Sequence, residues 1–316
     1  MLANEAFHSG TTSHYLGKGH PMTGNLSGVC RFCRSKGSIQ QICNERFIWG
    51  GTPFACVKCG GGYFQRVNPE GASEDYWEGD TVNEKIYAVP EVRRAFARKF
   101  DRHLKVLEHS SSGAKSLLEV GSGSGIFLET AAKRGWKVHG LDISPRAVEL
   151  ARDNCPTAHM VCAPIEQSGL PKGTFNVIAL WDVIEHVEDP EGLLQEARSL
   201  LASGGYLIME TPDEGCFARQ LVRFAHRATA GRVSFLRALY YPAHRWYFSR
   251  RAVATVLQRV GFDQIRFYRE QTVKEFGQRK VSAYGVFQNW PYRIARGVMK
   301  LAPVLHNKMV VVAMKS

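Results

Sequence analysis

Leu117-Leu-Glu-Val-Gly-Ser-Gly-Ser-Gly125, followed by Asp142 at the end of the next apolar run, constrains this chain more than any other stretch. Leu117 to Val120 reads as a short buried strand. The three glycines let the backbone turn sharply and pass close to a ligand. Ile126 to Arg134 then reads as a helix closed by Gly135. Strand, Gly-rich turn, helix, second strand and acid form the plan of a nucleoside-cofactor site, with the carboxylate taking ribose hydroxyls.

Charge narrows the choice of cofactor. A dinucleotide places pyrophosphate at the helix N-terminus, where an acid immediately upstream would repel it. Glu119 stands just before the first glycine, and Ile126 occupies the position where a G-x-G-x-x-G fingerprint needs a small residue. An acid beside the turn suits an ammonium or sulfonium centre instead. The pattern resembles motif I of the class I S-adenosylmethionine (SAM)-dependent methyltransferases. That resemblance implies a SAM site of Glu119, Gly121, Ser122, Gly123, Gly125, Asp142 and Ile143. A glycine-rich turn in an unrelated α/β protein is the competing reading.

The resemblance continues downstream. Thr174 to Pro190 looks like the family's fourth strand and following loop, and its Ile184-Glu185-His186-Val187-x-Asp189-Pro190 run is typical of the ubiquinone-biosynthesis-like branch, whose known members mostly methylate small molecules. Asn176 departs from the family's usual Asp, at a position that opens the strand. Ser203-Gly-Gly-Tyr-Leu-Ile-Met-Glu-Thr-Pro212 reads as the fifth strand. By the same resemblance Trp181 and Asp182 line the cofactor pocket and Ile165 contacts adenine, although Ala163-Pro164 stands where an acid is usual.

Apolar strand-like runs fall at 116–120, 136–141, 159–163, 175–181, 205–210, 264–268 and 308–314, with helical patterns between most of them. The expected fold is α/β: a Rossmann-like seven-stranded methyltransferase sheet, its last strand antiparallel, beside a small N-terminal zinc-ribbon module. Ser144-Pro145 and Ser249 read as helix starts and Gly261 as a stop. Val92, Phe96, Phe100, Leu104 and Leu107 mark an amphipathic helix over 91–108 that covers the sheet or the pocket.

Cys30-x2-Cys33 and Cys56-x2-Cys59 have the spacing of a four-thiolate structural Zn2+ site. The competing readings are two disulfides or a redox pair; a SAM enzyme without an export signal works in a reducing compartment, which disfavours disulfides. So small a module would draw much of its folding energy from the metal. Methyltransferases of this branch often begin with such knuckles and a tyrosine-rich linker. The remaining cysteines, Cys43, Cys155, Cys162 and Cys216, read as buried small hydrophobes. The expected organisation is a flexible leader over 1–25, the ribbon over 26–66, a linker and helical cover over 67–110, and the methyltransferase domain over 111–316 with a basic helical insertion at 213–245.

The formal net charge is +12, and a zinc tetrathiolate would lower it to about +10. From Cys216 to Phe262 there are nine arginines and no Asp, Glu or Lys. Three readings stand for the arginine-rich 217–251 segment: a solvated helix pair, an anionic membrane or lipid-phosphate surface, and an RNA-backbone surface. Nucleic acid ranks behind small anionic substrates and membranes. With no apolar signal segment and no membrane-span run, the expectation is a cytoplasmic protein, peripheral at the membrane if that surface is used.

Methyl transfer to a hydroxyl needs a base, and two histidines qualify. His186 follows the fourth strand, and His244 lies in Tyr241-Pro-Ala-His-Arg-Trp-Tyr-Phe-Ser249, which resembles the family's Pro-x-His-x-x-x-Phe-Ser segment. Loop-stabilising histidines are the alternative. The leading expectation is O-methylation of a small-molecule, glycan or lipid-precursor acceptor. An RNA methyltransferase with a zinc recognition module is the alternative, and a non-enzymatic scaffold is a third.

Overall fold

A computed structural model describes residues 28–42, 51–66, 81–110, 115–229, 244–273, 276 and 307–316. The expected leader, Cys43, the aromatic linker at 74–79, residues 230–243 of the insertion and most of 270–306 lie outside the described residues.

Seven strands form one sheet: β4 (Ser116–Val120), β5 (Lys137–Asp142), β6 (His159–Cys162), β7 (Phe175–Trp181), β8 (Leu201–Pro212), β10 (Phe262–Glu270) and β11 (Lys308–Lys315). Their spatial order is β10-β11-β8-β7-β4-β5-β6. Strands β4 to β8 pair in parallel, whereas β11 runs antiparallel between β8 and β10. All seven expected strands are present, and the last is the antiparallel one. The first run lengthened is the fifth: β8 begins at Leu201 and takes in the Gly204-Gly205 turn through a register shift against β7.

Alternation along the strands divides the core into two faces. Leu117, Val177, Ala179, Ile208 and Val310 face one side. There they meet α2 (Pro90–Ser110), α3 (Ile126–Lys133) and α4 (Pro145–Asn154). Val92, Phe96, Phe100, Leu104 and Leu107 are all buried on that side, as the helical stripe predicts. Leu118, Ile178, Leu180, Leu207 and Val311 face the other side, against α5 (Pro190–Leu200) and α7 (Arg250–Val260). Helices α1 (Thr81–Tyr87) and α6 (Phe217–Ala228) complete the described set.

The helix signals hold locally. Ser144 Oγ accepts from Ala147 N, and Ser249 Oγ accepts from Ala252 N. Gly261 closes α7 at φ 94°. Asn176 Oδ1 accepts from both Ser116 N and Ser116 Oγ, tying the entries of β7 and β4 together.

The second sheet has the order β1-β2-β3-β9, made of β1 (Ile39–Gln41), β2 (Gly51–Cys56), β3 (Gly62–Arg66) and β9 (Trp246–Tyr247). Its fourth strand comes from the far end of the chain. Cys155 and Cys216 are buried as expected, but Cys162 is exposed, which corrects that expectation. It is the last residue of β6, the sheet's edge strand, at the carboxyl side.

Candidate active site at the carboxyl edge of the sheet

The turn after β4 is built by backbone hydrogen bonds. Gly121 N and Ser122 N both donate to Leu141 O, at 2.8 and 3.0 Å. Gly123 N donates to Asp142 Oδ2 at 2.9 Å, and Ser144 N to Asp142 Oδ1 at 3.0 Å. Gly125 has φ 72°, and a Cβ there would lie 2.9 Å from Ala151 Cα, so the turn packs directly on α4. Gly123, at φ 49°, has nothing within 4 Å of a would-be Cβ: its outer side is open at the place where a ligand would lie.

Glu119 is 4% exposed. Burial, reinforced by Asp142, pushes its carboxyl well above the usual range, and its Oε2 is a buried oxygen with no hydrogen-bond partner. Burial also raises Asp142, against the opposing pull of the Ser144, Gly123 and Ile143 amides. Ile143 is 42% exposed beside it, an apolar surface at the strand end. Ile165 is buried, in a single 3-10 turn after β6.

Trp181 ends β7. Its ring lies 4.9 Å from that of Phe100 and 5.2 Å from that of Phe127. Asp182 follows with φ 54°, a backbone shape uncommon outside glycine. Lys308 holds it: the ammonium pairs with Asp182 and with Glu210 Oε1 at 3.0 Å. Lys99 Nζ reaches the same glutamate at 2.6 Å. Burial alone would raise Asp182, but the Lys308 and Lys99 charges overcome it and hold the carboxyl below its ordinary value. This Lys99–Glu210–Lys308–Asp182 chain, buried at Lys99 and Glu210 and partly open at Asp182, is not predicted by the sequence reading. Its one sequence signal is that Lys99 falls on the apolar stripe of α2, seven residues after Val92.

Glu185 is fully buried. Its Oε2 accepts from Thr211 Oγ1 at 3.0 Å, and burial, with Asp182 nearby, pushes it well above the usual carboxylate range. The carbonyl of the same residue accepts from Arg245 N at 2.8 Å and Trp246 N at 3.2 Å. That joint brings the two candidate histidines together: the His186 and His244 rings are 4.7 Å apart, edge to face. One ligand atom each from Glu185, His186 and His244 lies within 4.8 Å of the others, close enough to share a cation.

In the second sheet, Cys30 Sγ is 3.6 Å from Cys59 Sγ, and Cys33 Sγ is 3.6 Å from Cys56 Sγ. A tetrahedral ion with metal–sulfur bonds of about 2.3 Å sets its sulfurs about 3.8 Å apart, so the four thiols fit a structural zinc. Amides of Phe32 and Cys33 point at Cys30 Sγ, and Cys59 N at Cys56 Sγ. The Cys59 thiol, with the Cys33 and Phe32 amides, outweighs burial and pulls Cys30 down to about 5.

A family-wide sequence pattern described as a methyltransferase domain matches residues 90–266, which carry the glycine turn, Asp142, β7 and both histidines. The chain belongs to this methyltransferase family. Among curated relatives, a ubiquinone biosynthesis O-methyltransferase of Bradyrhizobium sp. is 30% identical over 159 residues, 49% of this chain and 59% of the relative. One of Chromobacterium violaceum is 26% identical over 141 residues, 43% of this chain and 57% of the relative. The match thus spans somewhat over half the length of these relatives. The solved magnesium protoporphyrin IX methyltransferase of Synechocystis PCC 6803 shares the fold, with TM-score 0.52 and 16% identity over 77% of this chain and 97% of that one.

Proposed function

We propose that this methyltransferase-family chain transfers a methyl group from SAM to a hydroxyl of a small-molecule, glycan or lipid-precursor acceptor. The observation that carries the reading is the open Gly123 backbone flanked by buried Glu119 and half-buried Asp142, at the carboxyl edge of the parallel strands. Asp142 already accepts two amides, but each carboxylate oxygen keeps a further lone pair for a ribose hydroxyl. Glu119 Oε2, buried without a partner, is the natural acceptor for a second polar group of the cofactor. Ile143 and Ile165 supply apolar surface for adenine, and Trp181 with Asp182 closes the β7 side.

SAM brings an already electrophilic sulfonium methyl, so the chain's own task is to align the acceptor oxygen, exclude water and remove one proton. His186 and His244 stand at the end of β7 where that oxygen would approach, and either is suited to take the proton near neutral pH. The names of the O-methyltransferase relatives support oxygen as the atom methylated.

The four cysteines hold structural zinc in this reading. The arginine-rich segment meets an anionic membrane rather than RNA. Arg219 pairs with buried Glu214 at 2.8 Å and Arg223 pairs with the same carboxylate, so both are turned inward. Outward, α6 presents Phe217 (68% exposed), Leu221 (47%) and Phe224 (69%), an apolar stripe suited to a bilayer surface. No helix among the described residues is long and apolar enough to cross a membrane.

The test is incubation of the purified protein and cell lysate with SAM carrying a labelled methyl group. Label in the solvent-extractable small-molecule or glycan-lipid fraction supports the proposal. Label in RNA overturns it.

A further inference from the structure

The four-cysteine module is not a separate bead on the chain. Strand β3 takes β9 as its other neighbour, through the pairs Gly62 with Tyr247 and Tyr63 with Trp246. Phe32, fully buried between the two knuckles, sits 5.6 Å from the Trp246 ring and 5.2 Å from the Phe248 ring. Cys30, Phe32, Cys56 and Cys59 belong to the same continuous core as Leu118, Ile178, Val253 and Leu257 of the catalytic sheet and its helices. Polar contacts lock the seam. Arg259 of α7 donates to Phe32 O at 2.6 Å, and Ser249 Oγ donates to Cys59 O. Glu191 of α5 binds Arg34 at 2.9 Å and Arg259 at 2.8 Å.

What lies on the other side of β9 gives the seam its chemical meaning. Arg245 N and Trp246 N hold the carbonyl of Glu185, and Trp246 Nε1 holds Val187 O at 2.7 Å. His186 is therefore gripped on both sides by a strand that the cysteine module supports. His244 is two residues before that strand and abuts the His186 ring. Two loops from distant parts of the chain thus meet through a two-residue strand, too short to hold its own shape.

We propose that the metal-bearing module is a positioning element of the active site. Closing the four-cysteine knuckles fixes β3, β3 fixes β9, and Trp246 sets the distance between His186 and His244. Trp246 is the positioning residue, acting through the loop carrying Glu185 and His186. This inference rests on the reading that the cysteines hold a metal, and its test separates the two.

Full-length protein is loaded with Zn2+ under reducing conditions, its metal content is measured, and a portion is stripped with a chelator. Hydrogen exchange at the Arg245 and Trp246 amides and the NMR resonances of the His186 and His244 rings report the joint. The Gly121 and Ser122 amides and the His139 and His159 rings, on β5 and β6, report the remote half. Stripping is expected to speed exchange at Arg245 and Trp246 by about ten-fold or more while the remote half is unchanged, and to move both active-site rings. Loss of metal with unmoved rings and unchanged exchange overturns the proposal.

Failure to take up zinc sinks the metal reading alone. In that event, or if stripping unfolds the whole chain, Gly61→Ala decides. Its methyl would sit 2.4 Å from the Phe32 ring and 2.9 Å from Ala252 Cβ, wedging the seam with all four cysteines present. The same displaced rings and faster exchange are expected in this variant, with SAM affinity within about two-fold of the parent. Unaltered signals at the joint overturn the positioning role.

Discussion

Gly123 N donates to Asp142 Oδ2 at 2.9 Å, so the turn after one strand is tied to the acid that ends the next. Asp142→Ala removes both the tether and the proposed ribose acceptor. Calorimetric titration is expected to show SAM affinity falling by about 100-fold or more, since a charged hydrogen-bond acceptor contributes roughly 1.5–3 kcal/mol and the turn loses its preorganised shape. Affinity within a factor of a few of the parent would remove Asp142 from the cofactor site.

Glu119 carries a pH signature. Its folded carboxyl lies above the ordinary value of 4.5 because of burial and then Asp142. The folded state therefore keeps a proton that the unfolded chain has lost, and stability falls as pH rises from the ordinary value through the folded one. Glu119→Gln removes that slope. The variant is expected to gain in Tm over the parent at about pH 8 and little at about pH 5, while binding SAM less tightly. Parallel Tm curves for the two proteins would contradict the buried, protonated state.

Lys308 and Lys99 share one buried glutamate. Lys308→Met leaves Asp182 without its ion pair and Glu210 with Lys99 alone, a loss expected to fall short of the roughly 3–5 kcal/mol of a wholly orphaned buried charge. Denaturant unfolding should show that loss. A double-mutant cycle with Glu210→Gln should show strong coupling, because Lys308 and Glu210 are paired directly and either change alone breaks that contact. Additive effects would mean the chain of ions is not a unit.

The α6 stripe makes a separable prediction. Phe224→Glu puts a charge into an exposed apolar row without touching Glu214 or its arginines. Retention on anionic phospholipid vesicles is expected to drop by about ten-fold, with SAM affinity unchanged. Equal retention of variant and parent would point to the solvated-helix reading.

The seven-strand sheet was legible because period-two apolar runs and capping residues each act locally. Ser144, Ser249 and Gly261 do in space what their positions along the chain imply. The glycine turn was legible for the same reason. Long-range pairing was not. Nothing around Trp246-Tyr247 announces a partner near residue 62, since a two-residue strand has no periodicity to read. The charges misled in a similar way. A basic run reads as an outward surface, yet one buried acid, Glu214, turns Arg219 and Arg223 inward and leaves the phenylalanines outside. Cys162 was assigned to the interior by residue type, and only the strand order reveals it as an edge position.

The strand β11, residues 308–315, lies between β8 and β10 although both precede it in the chain. During synthesis at roughly 5–20 residues per second, β8 leaves the ribosome with β7 on one flank and its other edge open, and β10 leaves with no neighbour in the sheet. The open edge of β8 and the whole of β10 must wait for the same late segment, which inserts with β8 on one flank and β10 on the other. Until then the nascent chain carries two raw sheet edges, so holding by a chaperone matters most in that interval. A polypeptide cut at residue 266, the limit of the family match, would be frozen in that unfinished state.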